Sequence, residues 1–272
     1  MAWSGCHWRL GRQVEAILYF ERALALRRRA GNRSAQAQTL NNLAVVQHAL
    51  GHHQEAIARH REALAVFREV GDQLGEGGAL SNLGVILEHL GRLDESASHQ
   101  RLALMLFRQI GSKMGEANAL ANLGVVRRLQ GRPAAANRHQ QRALEIFRAI
   151  GDRSGEAGGL INLGDLEQLR HHHDEATVLY RRAFAIARDI GEPGLEAEAL
   201  NSYGQTLHAT GQFDAALRQH ARALALARQT HDGTQTERAL HGLARAAEAT
   251  GQPGRAARLR RRAQLVRAVL PG

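Results

Sequence analysis

Glycine recurs at forty-residue intervals through this chain, at Gly11, Gly51, Gly91, Gly131, Gly211 and Gly251, and His171 stands at the one missing step. A second series, Gly31, Gly71, Gly111, Gly151 and Gly191, keeps the same period twenty residues out of phase. The text between them, as in residues 80–111, is written again in both directions along the chain. Self-similarity with a period between about 20 and 50 residues marks a stack of repeats, each covering its neighbour's apolar face, in place of one closed core. Counting domains from the 272 residues therefore fails, and one elongated domain is the expectation.

Within each unit the apolar residues fall at helical spacing. Leu80, Leu83, Gly84 and Leu87 stand at offsets 0, 3, 4 and 7, which predicts a first helix, A, ended at Gly91 by a residue tolerant of positive φ. A second helix, B, is expected from Leu93 to about Ile110, with Ala97, Ala103, Leu104 and Phe107 on its buried side. Ser112 and its counterparts Asn32, Asp72 and Asp152 are placed to cap the next helix A. Alternating apolar segments are missing, and the 44% hydrophobic content rests largely on Ala and Leu, so closely packed helices are expected and strands are not. The predicted boundaries are a partial repeat over 1–30, repeats over 33–70, 73–110, 113–150, 153–190 and 193–230, and a terminal repeat over 233–272.

The residues at these positions resemble a known family. Leu40, Leu80, Leu120, Leu160, Leu200 and Leu240 occupy the large apolar position that opens the tetratricopeptide repeat (TPR) pattern. Leu83–Gly84, Leu123–Gly124, Leu163–Gly164 and Tyr203–Gly204 follow it. The first pattern alanine is Ala56, Ala136, Ala176, Ala216 and Ala256, with Ser96 the exception, and the later one is Ala63, Ala103, Ala143, Ala183, Ala223 and Ala263. The chain departs from the family in its longer period and in lacking the proline that ends helix B. The resemblance implies an all-α, right-handed solenoid of tandem helical hairpins, six full repeats plus an N-terminal partial one. The long repeat, with Gly-Asp-x-x-Gly-Glu-Ala over 151–157 and a close variant over 71–77, looks like peptide-binding adaptors of the spindle-orientation and kinesin light chain type. It is also similar to the repeats that end bacterial multidomain transcription and signalling regulators, and the Arg and Ala bias favours that likeness.

The two ends differ. Aligned by forty, Trp3 falls where Leu83 and Leu123 fall, so the chain is expected to begin inside a helix A whose partner is missing, an open end suited to self-association. The net charge is +10, Lys113 is the sole lysine, and no acidic residue follows Glu248, while Arg255, Arg258, Arg260, Arg261, Arg262 and Arg267 do. Those arginines are expected to give the last helix the polar outer face a terminal repeat requires; the alternative is a basic surface for nucleic acid or an acidic partner, with steep salt dependence.

In helix A, residues spaced 4, 3 and 4 point away from the seam of their own hairpin. If A helices line the hollow of the stack, this stripe floors a groove. It reads Gln38, Asn42, Val45, Ala49; Gly78, Asn82, Val85, His89; Asn118, Asn122, Val125, Leu129; Gly158, Asn162, Asp165, Leu169; Glu198, Ser202, Gln205, Ala209; and Arg238, Gly242, Arg245, Ala249. An amide donates and accepts at once, so asparagines in register can satisfy the backbone of an extended peptide whatever its sequence; the adaptors that this array resembles use an asparagine there in that way. The other reading has Asn42, Asn82, Asn122 and Asn162 bond to the neighbouring helix and set the stacking. Glu198 either meets a ligand or pairs with Arg238.

The remaining motifs point to no chemistry. His171, His172 and His173 sit at a turn, where adjacent side chains fan out, and His52 and His53 occupy an equivalent turn; these, with His60, His99, His139 and His220, read as solvated residues and not as a metal site. Gly75, Gly77 and Gly78 mimic a phosphate cradle only weakly. No nucleophile elbow or phosphate-binding lysine loop occurs. Cys6 is the only cysteine, and no apolar run reaches membrane-spanning length. The expectation is a cytoplasmic, non-catalytic module without cofactor or metal, binding a protein or peptide in its groove as the sensing segment of a bacterial regulator.

Overall fold

A computed structural model describes residues 10–268, with side chains from Glu15 onward. Thirteen α-helices and no strands occur among the described residues. They are α1 (Leu10–Arg29), α2 (Arg33–Ala49), α3 (His53–Val70), α4 (Gln73–His89), α5 (Leu93–Gln109), α6 (Lys113–Leu129), α7 (Pro133–Ala149), α8 (Arg153–Leu169), α9 (His173–Asp189), α10 (Pro193–Ala209), α11 (Phe213–Thr230), α12 (Gly233–Ala249) and α13 (Pro253–Arg267). From α2 on, even-numbered helices are A and odd-numbered helices are B. Of the partial repeat expected over 1–30, α1 is described, with Gly11 inside the helix and not at a turn; Trp3, Cys6 and Trp8 lie outside the described residues.

The turns follow from the glycines. At the end of α4, Gly91 takes φ +72°, its N–H bonds Glu88 O at 2.9 Å and the N–H of Arg92 bonds Leu87 O at 2.8 Å. This paired closure satisfies carbonyls that a helix end leaves open. His171 does the same with φ +62°, its neighbour His172 bonding Glu167 O at 2.9 Å, so the forty-residue register is kept without glycine. The next helix starts on a side-chain cap: Asn32, Asp72, Ser112 and Asp152 accept from the backbone N–H three residues on. Asp232 caps α12 in the same way.

The chain divides inside α7 into two compact units, one ending at His139 and the other starting at Gln140. In the first, α2 packs on α3, α4 on α5, and each A helix also touches the next, α2 to α4 to α6. In the second, α8, α10 and α12 form the corresponding row. No such contact joins α3 to α5, α9 to α11 or α11 to α13. Within each unit the A helices therefore form a contiguous row, as an inner row of the stack requires.

The Gly-Asp-x-x-Gly-Glu motif is a joint between hairpins. Its second glycine leaves room for the aromatic ring eight residues earlier: a Cβ at Gly75 would stand 2.3 Å from Phe67, one at Gly115 2.3 Å from Phe107, and one at Gly155 2.3 Å from Phe147. A Cβ at Gly77 would likewise meet Phe107 at 2.7 Å. The motif's glutamate receives the arginine beside the ring, Arg68 to Glu76 at 2.7 Å, Arg108 to Glu116 at 2.9 Å and Arg148 to Glu156 at 3.0 Å. Gly75 and Gly77 thus make room for aromatic rings and not for a phosphate.

Candidate functional site

Beneath the stripe runs a polar seam that helical spacing alone does not disclose. On α3, α5 and α11, the residues at forty-residue steps, His60, Gln100 and His220, are buried and reach across to their own A helix. His60 Nδ1 lies 3.0 Å from Asn41 Oδ1 and His220 Nδ1 lies 3.1 Å from Asn201 Oδ1. Gln100 donates from Nε2 to Ser81 O at 2.8 Å and accepts from Ser81 Oγ at 3.0 Å. On α9 the same step holds Tyr180, fully buried, whose hydroxyl donates to Asp165 Oδ1 at 2.8 Å. Opposing glycines admit these side chains, since a Cβ at Gly84 would meet Gln100 at 2.5 Å and one at Gly242 would meet the His220 ring at 2.3 Å.

The expectation that His60 and His220 are solvated is therefore wrong: each is 1% exposed. Both were misread because a histidine on a B helix carries no sign of which way it points until its partner is identified. Asn41 with His60 and Asn201 with His220, nineteen residues apart in both hairpins, is the signal that could have shown it. Burial holds both imidazoles neutral, with pKa values lowered from 6.5 to about 4. Like charge adds to this, from His48 for His60 and chiefly from Arg238 for His220. His53 is also not simply solvated, as its Nδ1 lies 2.9 Å from His48 Nδ1.

The stripe rests on this seam. In the first unit Asn82 donates from Nδ2 to Asn41 Oδ1 at 3.4 Å, and Asn122 donates from Nδ2 to Ser81 Oγ at 3.2 Å. Each amide spends one N–H on the preceding hairpin. Asn42 accepts from Gln38 Nε2 at 3.1 Å. Asn42, Asn82 and Asn122 remain half-exposed, as do Val85 and Val125, while Gln38, His89 and Asn118 are exposed. An amide carries two donors and two acceptor lone pairs, so the inward bond leaves the carbonyl oxygen and the second N–H of Asn82 and Asn122 for another partner. At the edge of the stripe His89 stacks on His48, its Nδ1 2.9 Å from His48 Nε2.

In the second unit the stripe is charged. Asn162 is half-exposed; Asp165 is fixed by Tyr180, and Gln205 is half-exposed. Arg238 donates to Ser202 Oγ at 3.2 Å, and no ion pair joins it to Glu198 among the described residues. Desolvation raises the pKa of Glu198, with Asp165 and Asp232 adding to the rise and Arg238 opposing it. Arg245 lies at the rim, Nη2 3.4 Å from His208 Nδ1. His172 meets Glu167 at 2.8 Å, and no group of three or more metal-ligating side chains is assembled among the described residues. No described helix is long and apolar enough to cross a membrane.

Comparison with solved structures places the chain among repeat proteins. The Rap conjugation gene regulator of plasmid pLS20, in complex with the Phr* peptide, matches with a TM-score of 0.76 at 17% identity, over 95% of this chain and 70% of that one. BtubC (BKLC) from P. vanneervenii matches with a TM-score of 0.66 at 23% identity, over 81% and 92%. A signal transduction ATPase with numerous domains (STAND) from Pyrococcus horikoshii, with a tetratricopeptide repeat sensor, matches with a TM-score of 0.68 at 17% identity. That match covers 84% of this chain and 36% of the larger protein. At such identities the likeness is one of fold. None of the curated proteins compared matches the sequence. The model of the tetratricopeptide repeat family matches residues 2–69, 76–149, 155–229 and 195–264, and with the hairpins, their joints and the contiguous row of A helices described above, the chain belongs to the tetratricopeptide repeat family.

Proposed function

We propose that this chain is a non-catalytic peptide-binding module, the sensing or regulatory segment of a bacterial signalling or transcription regulator, and that it takes an extended peptide along the inner row of A helices. The observation that carries this reading is the half-used amide. Asn82 and Asn122 stand in register on neighbouring helices, each anchored by one inward bond and each half-exposed. Packed helices lie about 8–10 Å apart, and an extended chain rises about 3.3 Å per residue, so the amides meet every third residue of a peptide. Each backbone bond so made contributes about 0.5–1.5 kcal/mol. Val85 and Val125 beside them suit small apolar side chains; in the second unit, taken by itself, Asn162, Asp165, Glu198, Gln205, Arg238 and Arg245 suit a ligand segment of mixed charge. The Phr* complex of the pLS20 regulator supports the reading by analogy of fold alone.

Selection from a displayed library of random linear peptides tests it. The intact chain is expected to enrich peptides that a variant carrying Asn82→Ala and Asn122→Ala together captures at least about tenfold less well, two lost bonds of about 0.7 kcal/mol each. The variant's melting temperature should fall by only a few degrees, since one inward bond per residue is lost. Equal enrichment by both proteins would confine the amides to stacking.

A further inference from the structure

The last hairpin carries a second feature, independent of the inner stripe. Between α11, α12 and α13 lies a cup of about 410 Å³ whose floor includes Leu224, Leu243 and Leu259 and whose wall includes Arg255, Arg258 and Arg262. That volume falls within the range of about 300–1,000 Å³ typical of pockets for small groups. Of the arginines on α13, two meet carboxylates and the three that line the cup do not. Arg260 is paired with Glu248 and Arg267 lies 3.9 Å from Glu237, and elsewhere on B helices Arg142 meets Glu145 at 2.7 Å, Arg182 meets Glu156 at 3.1 Å and Arg222 lies over the Phe184 ring. Arg255 has only a neutral partner, Gln252 at 3.0 Å, and among the described residues no carboxylate pairs with Arg255, Arg258 or Arg262.

A solvated face for α13 calls for polar side chains, but that need does not place three uncompensated guanidiniums around an apolar floor. Guanidinium is the side chain best fitted to carboxylates, which it grips through two parallel bonds. A few anchors in well-packed pockets carry most of an interface's energy, and aromatic side chains and arginines are enriched among them. We propose that this cup is a docking site for an acidic peptide segment of a partner protein, in which one large apolar or aromatic side chain enters between the three leucines while flanking aspartates or glutamates meet Arg255, Arg258 and Arg262. A nucleic acid backbone would satisfy the arginines but offers nothing for the leucine floor.

Fluorescence anisotropy with the full chain tests the assignment, using as probe a short peptide with one tryptophan flanked by aspartates and glutamates. Saturable binding is expected, weakened at least about tenfold by Arg258→Gln with Arg262→Gln and by a similar factor when the tryptophan of the probe is replaced by serine. Both arginines are exposed, so the variant should fold, and an unchanged circular dichroism melt checks that it does. The Asn82→Ala and Asn122→Ala variant should bind this probe as the wild type does, which separates the cup from the inner stripe. No saturable binding, or binding indifferent to the tryptophan, overturns the proposal. Tighter capture of duplex DNA with a steep salt dependence would assign the surface to nucleic acid and overturn it equally.

Discussion

Replacing Phe107 by Ala and Gly115 by Leu together is expected to give a more stable protein than either replacement alone. Phe107 is 5% exposed, and a Cβ at Gly115 would stand 2.3 Å from its ring. Phe107→Ala empties that space and should cost about 3–5 kcal/mol. Gly115→Leu drives a side chain into the ring and should cost about 1–3 kcal/mol or more. In the double variant each change makes room for the other, as the sequence itself suggests. Three joints pair a phenylalanine with a glycine eight residues on, Phe67 with Gly75, Phe107 with Gly115 and Phe147 with Gly155, whereas the next pairs Ala187 with Leu195. The bulk has changed sides. Denaturant unfolding of the four proteins should give a favourable coupling of more than about 1 kcal/mol, within the range found for residues in contact. Strict additivity would mean that the two positions do not share one space.

Acid should destabilise the protein from pH 6.5 downward, well before most carboxylates titrate. His60 and His220 are neutral when folded, with pKa values of about 4, while an unfolded histidine takes up a proton near 6.5. Below that value the unfolded chain binds more protons than the folded one, so stability falls with pH and levels off for these groups once the folded pKa is passed. Above pH 6.5 the contribution is fully present. The interval is worth about 3 kcal/mol for each residue. The physical cause is plain at His220, whose Nε2 is buried without a partner, so a proton added there would be a charge with nothing to receive it. His60→Gln with His220→Gln should flatten the slope between pH 6.5 and 4 and leave the part due to His48, whose pKa burial also lowers to about 4; the variant should fold, because Gln100 already serves at the same step of α5 with bonds to Ser81. Thermal melts of both proteins across that range check this; parallel curves would show that these histidines are not the source.

The forty-residue register made most of the fold legible before any coordinate. From Gly31 onward, glycines at one phase end A helices and those at the other end B helices, and His171 fills the one gap in its series at φ +62°. The caps were legible for the same reason. What escaped was the direction of polar side chains between helices. Helical spacing tells which face of α3 carries His60, but whether that face meets water depends on Asn41, a neighbour nineteen residues back. Helical spacing puts Asn82 and Asn122 on one face of successive A helices and leaves two competing roles for them. The structure adds a bond from each to the preceding hairpin, which the stacking reading requires, while their half-exposure keeps the other reading open to test. The joint of Phe107 with Gly115 was hidden in a motif read as a helix start; comparing residues eight apart across the repeats would have disclosed it.

The side-chain amide resonances of Asn82 and Asn122, followed by nuclear magnetic resonance while a peptide recovered by library selection is added, test the proposed groove most directly. Both NH2 signals should shift and saturate together, with the shifts of backbone amides concentrated on α4 and α6. Saturable binding that leaves both signals in place and moves those of α3 and α5 instead would contradict it.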